Sequence, residues 1–108
     1  MTVPEITVDD VATTHGTDTT TLIDVRDPDE YAAGHIPGAR LIPLPQIADH
    51  LPELRDAHGL QMVCQSGNRS ARAVEYLTGQ GIPAVSVAGG TRAWIDSGRP
   101  VQAGRSTS

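Results

Sequence analysis

The chain has 108 residues, which is enough for one domain. Hydrophobic residues make up 38% of the chain and charged residues 19%, a composition that is atypical of disordered or membrane-embedded proteins. Thirteen acidic residues outweigh eight basic ones, all arginine, and the net charge of -5 argues against nucleic acid or an anionic membrane as partner. Residues 1–5 lack the basic start and apolar stretch of a secretory signal, so we expect a cytoplasmic protein. We expect a single domain over 1–108, with an ordered core over about 5–101 and a flexible tail over 102–108.

Apolar runs of strand length alternate with helical patterns along the chain. The predicted strands are 5–8, 21–25, 39–42, 60–64 and 84–87. The predicted helical segments are 11–12 after an Asp9-Asp10 cap, 29–33 with Asp27 as a cap and Pro28 at the first helical position, 43–58 with a break at Pro52, 70–79, and 91–96 after Gly89-Gly90. The strands are continuous apolar runs, which is typical of a parallel sheet covered on both faces. The pattern therefore predicts an α/β fold of three layers with four to five parallel strands.

Cys64 is the only cysteine, and it lies at the carboxyl end of a predicted strand, where parallel sheets bind ligands. One cysteine can form neither an internal disulfide nor a cysteine-based zinc site. The loop that follows contains Gly67, which permits a positive φ, so successive amides can turn inward and bind an anion. The next helix adds the positive end of its dipole. These features predict a reactive thiol of lowered pKa, although a cysteine that merely packs at a strand end is the alternative.

Three segments of the chain resemble single-domain rhodaneses in sequence, order and spacing. They are LIDVRDPDEYAAGHIPGA at 22–39, CQSGNRS at 64–70 and VAGGTRAW at 87–94. The resemblance implies the rhodanese-like fold, with Cys64 as the catalytic residue that carries sulfur. It implies an active loop that binds the persulfide, formed by Gln65, Ser66, Gly67, Asn68, Arg69 and Ser70. It further implies that Arg26 helps to hold anionic sulfur donors near the pocket mouth, and that a structural framework is formed by Asp24, Glu30, His35 and Gly38.

Phosphatases of the same fold, and related arsenate reductases, separate their cysteine and arginine by five residues. Here four residues separate Cys64 from Arg69. Because phosphate needs a wider cradle of amides than one sulfur atom does, the shorter loop favours sulfur transfer. Thiosulfate-preferring relatives often have a basic residue directly after the cysteine, whereas this chain has Gln65. Arg69 is then expected either to attract the donor or to pair with Asp24 or Glu30.

The expected reaction moves sulfane sulfur from an anionic donor, thiosulfate or a persulfide, to cyanide or a thiol through a Cys64 persulfide. The resemblance implies no metal and no organic cofactor, and the expected partners are these small molecules, with a sulfur-accepting protein as a further candidate. The alternative is a carrier or docking module that acts on a partner protein and has little turnover on small molecules.

Overall fold

A computed structural model of the protein describes residues 3–105. Its five strands are all parallel and form one sheet in the order β1-β5-β4-β2-β3. They are β1 (Glu5–Ile6), β2 (Thr21–Asp24), β3 (Arg40–Leu41), β4 (Leu60–Val63) and β5 (Ala84–Val87). The predicted α/β fold with a parallel sheet is confirmed, and the apolar runs of the inner strands β4 and β5 are covered on both faces.

Helices cover both faces of the sheet. They are α1 (Val8–Thr14), α2 (Pro28–Ala33), a 3₁₀ helix (Leu44–His50) that runs into α3 (Leu51–Asp56), α4 (Asn68–Gly79) and α5 (Gly90–Asp96). One buried core lies between the sheet and the side of the 3₁₀ helix, α3 and α4, and the other lies on the side of α1, α2 and α5. Successive residues of β4 serve opposite cores, because Met62 belongs to the first and Val63 to the second.

The prediction of a strand over residues 5–8 is wrong at its end, because the first helix already begins at Val8. Thr7 is the N-cap of α1: its Oγ1 accepts from the N–H of Asp10 at 3.2 Å, and its own N–H donates to Asp10 Oδ2 at 3.0 Å. This reciprocal capping satisfies two backbone donors, so the helix starts before the predicted Asp9-Asp10 cap. The predicted start at Pro28 and the interruption near Pro52 are confirmed.

Part of the segment predicted as a flexible tail contacts α2 and the turn that follows it. His35 and Gln102 exchange backbone hydrogen bonds of 3.0 and 2.9 Å, and the N–H of Gly104 donates to the Ala32 carbonyl at 2.9 Å. Residues 106–108 of the predicted tail lie outside the described residues. Between Val3 and Arg105, no helix has the length and apolar character needed to cross a membrane.

The sheet reverses its winding between β2 and β4. From β2 the chain moves outward to the edge strand β3, whereas from β4 it moves the other way to β5. The helices after these two strands, α2 and α4, accordingly belong to opposite cores. Such a reversal leaves a crevice at the carboxyl ends of the two strands, and ligands bind there in open α/β sheets. The loop after β2 and the loop after β4 therefore face each other across this crevice.

Candidate active site

Cys64 follows the central strand β4 and lies at the bottom of the loop that leads into α4. It is 1% exposed and packs in the core on the α4 side of the sheet. The N–H of Gly67 donates to Sγ at 3.1 Å, and the Ser70 hydroxyl lies 3.5 Å from Sγ. Gly67 has a φ of +111°, a left-handed conformation that glycine adopts at little cost and that turns the loop amides toward the sulfur. It also sets the start of α4 at Asn68, two residues before the predicted Ser70.

These contacts favour the thiolate form of the cysteine. Burial raises the pKa of the Cys64 thiol, but it is outweighed by hydrogen bonds from the Ser70 hydroxyl and from the backbone N–H groups of Ser70, Gly67 and Ser66, so that the pKa lies below its ordinary value. The direction agrees with the sequence prediction of a thiol lowered by amides and a helix end. A buried thiolate with this environment is a nucleophile that needs no adjacent side-chain base.

The beginning of α5 explains why the loop amides are free to face the sulfur. The N–H of Thr91 donates to the Cys64 carbonyl at 2.8 Å, and the N–H of Arg92 donates to the Gln65 carbonyl at 3.1 Å. Both carbonyls are therefore bound by α5. The approach is so close that a Cβ on Gly90 would lie 2.3 Å from the Cys64 carbonyl oxygen. Gly90, at the start of α5, thus brings this helix against the backbone of the loop that begins at Cys64.

The sequence reasoning missed Ser86 of β5, which supports the Ser70 hydroxyl from behind. The two hydroxyl oxygens are 2.7 Å apart, and both residues are fully buried. The Ser70 hydroxyl donates to the Gly67 carbonyl at 3.1 Å and can accept from the Cys64 thiol. When the thiol is deprotonated, Ser70 can donate to the sulfur instead if its single proton rotates away from that carbonyl. The signal in the sequence is a hydroxyl residue inside an otherwise apolar strand, Ala84–Val87.

Arg26 lines the crevice beside the cysteine, but its guanidinium belongs to a buried network. The side chain is 3% exposed and donates through Nε and Nη2 to the fully buried carboxylate of Asp24, at 2.8 to 3.1 Å. It also donates to the Gly34 carbonyl at 2.9 Å and to Gln65 Oε1 at 3.0 Å. The framework predicted for Asp24 therefore includes Arg26, and the residue that follows the cysteine contacts this arginine. The role of Arg26 in holding a donor stays a prediction.

Arg69 pairs with Glu30, one of the two carboxylates that the sequence analysis named as its possible partners. Its two terminal nitrogens donate to the two carboxylate oxygens at 2.7 and 2.8 Å. These hydrogen bonds lower the pKa of the Glu30 carboxyl to about 2 against an opposing contribution from burial, and they raise the pKa of Arg69 further above its usual range.

His35 and Gly38 stabilise the turn after α2. The His35 ring is fully buried, its Nδ1 lies 2.8 Å from the Tyr31 carbonyl oxygen, and it stacks on the Tyr31 ring with 3.6 Å between centroids. The Tyr31 hydroxyl in turn donates to the Ala39 carbonyl. Gly38 has a φ of +87°, and Trp94 of α5 is buried in the same core as Tyr31. The framework role that the resemblance implied for His35 and Gly38 stays a prediction.

The crevice opens to solvent as a cleft of about 320 Å³ next to the cysteine loop. It is lined by Arg26, Glu30, Ala33, Gly34, Gln65, Ile95 and Val101. Ile95 and Val101 are 46% and 41% exposed, which is unusual for large apolar side chains in this molecule. These two side chains give the cleft an exposed apolar rim. The charged lining residues already have partners, because Arg26 binds Asp24 and Gln65 and Glu30 binds Arg69. Nothing in the sequence pattern marked Ile95 or Val101 as neighbours of the site.

Comparison with known proteins places this site in a family context. The model of the rhodanese-like domain matches residues 7–97. The chain is 42% identical over 74 residues to the thiosulfate sulfurtransferase GlpE of Pseudomonas putida, covering 68% of this chain and 67% of that protein. It is 40% identical over 74 residues to YqhL, an uncharacterized protein of Bacillus subtilis, of whose length it spans 59%. A crystal structure of a rhodanese-related protein from Thermoplasma volcanium superposes with a TM-score of 0.82 at 35% identity, covering 92% of this chain and 97% of that one.

Proposed function

The chain belongs to the rhodanese-like family, and on that premise we propose that it transfers sulfane sulfur through a persulfide on Cys64. The Cys64 thiolate attacks the outer sulfur of an anionic donor, thiosulfate or a persulfide. The donor S–S bond breaks, sulfite or a thiolate leaves with the bonding electrons, and a Cys64 persulfide remains. Cyanide or an acceptor thiolate then attacks the outer sulfur, and the Cys64 thiolate leaves. The two half-reactions alternate, and the proposed setting is the cytoplasm.

One observation supports this proposal above the others, namely the convergence of hydrogen-bond donors at the cysteine sulfur. Gly67 N–H reaches Sγ at 3.1 Å, and the Ser70 hydroxyl lies at 3.5 Å. In a persulfide anion the negative charge lies on the outer sulfur, one atom beyond Sγ. There the neighbouring loop amides and the N-terminal end of α4 can stabilise it. Donors that are already oriented toward a developing anion lower the barrier without reorganisation during the reaction.

Phosphoryl transfer by the same loop is disfavoured by the position of its arginine. A phosphate group carries several oxygens that must be bound together, and an arginine over the cysteine is the natural bidentate ligand for them. In this chain Arg69 follows Cys64 after four residues, and both its terminal nitrogens are bound to Glu30. The loop therefore supports the binding of one sulfur atom better than that of a phosphate.

A sulfur carrier that serves a partner protein is the second candidate, and the paired arginines favour it. Arg26 is bound to Asp24 and Arg69 to Glu30, so two cations of the site are already neutralised. Cys64 is also 1% exposed, which restricts the approach of a donor. Such a module would form the persulfide once and release its sulfur slowly to small acceptors.

Mass spectrometry of the protein after incubation with thiosulfate or glutathione persulfide tests the proposal. We expect a gain of one sulfur atom on the peptide that contains Cys64 and no gain in Cys64→Ser, which preserves the side-chain volume but cannot form a persulfide. Repeated turnover with cyanide indicates the enzyme, whereas one sulfur per chain with negligible turnover indicates the carrier. Sulfur transfer by the serine variant, or hydrolysis of an aryl phosphate faster than sulfur transfer, contradicts the proposed mechanism.

A further inference from the structure

Glu30, which lines the cleft, is paired with an arginine on the facing helix. Arg69 lies in the first turn of α4, and Glu30 lies in the first turn of α2. Their side chains are 32% and 34% exposed, and both nitrogen–oxygen bonds are short, at 2.7 and 2.8 Å. A bidentate pair of this geometry fixes the guanidinium in one orientation. The positive charge of Arg69 therefore meets an approaching donor only together with the negative charge of Glu30.

Glu30 is held in place independently of Arg69. Its Oε1 accepts the N–H of Asp27, the N-cap of α2, at 3.1 Å. Glu30 also lines the cleft beside Arg26 and Gln65, so its charge faces the path that a donor takes to the cysteine loop. Arg26 is itself neutralised by Asp24. The two charged side chains that line the cleft, Arg26 and Glu30, therefore each have a partner of opposite charge in contact.

Building on the proposed sulfur transfer, we propose that Glu30 is a specificity-determining residue that makes the site discriminate against doubly charged sulfur donors in favour of singly charged ones. The attraction of an unpaired guanidinium grows with the charge of the donor, so it would favour a dianion over a monoanion. A neutral ion pair removes most of that preference. The apolar rim of Ile95 and Val101 adds contacts that a sulfur donor with an organic group can use and thiosulfate cannot.

Two donors of the same chemistry but different charge test the proposal. Thiosulfate carries two negative charges and leaves as sulfite, while benzenethiosulfonate carries one and leaves as benzenesulfinate; both leave one sulfur on the cysteine. The measurement is kcat/KM for persulfide formation with each donor, expressed as the ratio of thiosulfate to benzenethiosulfonate. The ratio cancels the intrinsic reactivity of the donors when variants are compared. In Glu30→Gln we expect the ratio to rise roughly fivefold at low ionic strength, and the gain to shrink in concentrated salt.

Three further variants separate a charge effect from damage to the fold. Arg69→Gln leaves Glu30 unpaired and is expected to lower the ratio, which is the opposite sign. The double variant Glu30→Gln/Arg69→Gln is expected to return the ratio to that of the wild type. Glu53→Gln is the matched control, because it also frees an arginine, Arg40, and changes the net charge equally, but it does not line the cleft. It should leave the ratio unchanged.

The outcomes distinguish this inference from the function on which it rests. If the wild-type protein forms no persulfide with either donor, the proposed sulfur transfer is wrong. If it forms the persulfide but Glu30→Gln changes both donors by the same factor, the specificity role is wrong and the sulfur transfer stands. If Glu30→Gln is unfolded, as judged by far-ultraviolet circular dichroism, the measurement on Arg69→Gln takes its place. An unchanged ratio of thiosulfate to benzenethiosulfonate in Arg69→Gln then overturns the specificity role.

Discussion

Substitution of Gly90 by alanine is expected to destabilise the protein by more than the conformational cost of replacing a left-handed glycine. It should also disturb the loop that begins at Cys64. The new Cβ would lie 2.3 Å from the Cys64 carbonyl oxygen and 2.7 Å from that of Gln65. Both atoms belong to the backbone, so no side-chain rotation can relieve the overlap. The start of α5 must move away from the loop, and the hydrogen bonds from Thr91 and Arg92 to these two carbonyls lengthen or break.

The expected loss of stability has two parts. A left-handed conformation, here φ of +59°, costs a non-glycine residue about 1–2 kcal/mol. Two backbone hydrogen bonds of net value about 0.5–1.5 kcal/mol each add about 1–3 kcal/mol. The total of about 2–5 kcal/mol is a large fraction of the 5–15 kcal/mol typical of a domain. In addition, carbonyls released from α5 no longer hold the loop amides toward the sulfur, so the pKa of Cys64 should rise.

Gly81→Ala is the matched control, because Gly81 has a φ of +79° but open space around its Cβ position. It carries the conformational cost and lacks the backbone overlap. The free energy of unfolding, measured by urea denaturation, should fall by more in Gly90→Ala than in Gly81→Ala. The pH dependence of alkylation by iodoacetamide should report a raised Cys64 pKa in Gly90→Ala alone. Equal losses of stability and an unchanged Cys64 pKa in both variants would refute the role assigned to α5.

Three further predictions concern the side chains around the cysteine. Ser70→Ala removes the hydroxyl that lies 3.5 Å from Sγ and lowers the pKa of Cys64, so alkylation should show a higher pKa for Cys64 than in the wild type. Asp24→Asn leaves the buried charge of Arg26 without its carboxylate, and urea denaturation should show a loss of about 3–5 kcal/mol in the free energy of unfolding. The pKa of Glu30, lowered from 4.5 to about 2, means that its ion pair stabilises the fold above pH 4.5 and loses this effect as the pH falls toward 2. Because about a third of each partner is exposed, the free energy of unfolding of the wild type should exceed that of Glu30→Gln by only about 1 kcal/mol at neutral pH. A difference in the free energy of unfolding that persists at pH 2 would contradict a stabilising ion pair between Glu30 and Arg69.

The sequence by itself determined the fold class and placed Cys64 at the carboxyl end of a buried strand. Continuous apolar runs indicate strands buried on both faces, and the alternation with helical segments requires parallel connections. Once Cys64 is placed at the end of such a strand, Gly67 and the following helix supply inward amides through local backbone geometry. These features depend on neighbours in the chain, and for that reason they can be inferred without tertiary structure. The missed start of α1 is also local, because Thr7 competed with Asp9 as a cap and only the observed reciprocal bonds decide between them.

Tertiary structure alone decided which charges and carbonyls meet around the sulfur. From the sequence, Arg69 could either attract the sulfur donor or pair with Asp24 or Glu30. The resemblance implied that Arg26 helps to hold the sulfur donor near the mouth of the pocket. The pairs Arg69–Glu30 and Arg26–Gln65 each join residues 39 positions apart, because the winding reverses between β2 and β4 and brings the loops after these strands face to face. The periodicity of the sequence does not predict these two contacts, because the distance between the partners depends on the order of the strands in the sheet and not on their spacing along the chain. The ion pairs of the site therefore depend on the order of the strands in the sheet, while Cys64 and the amides around it come from one short stretch of sequence.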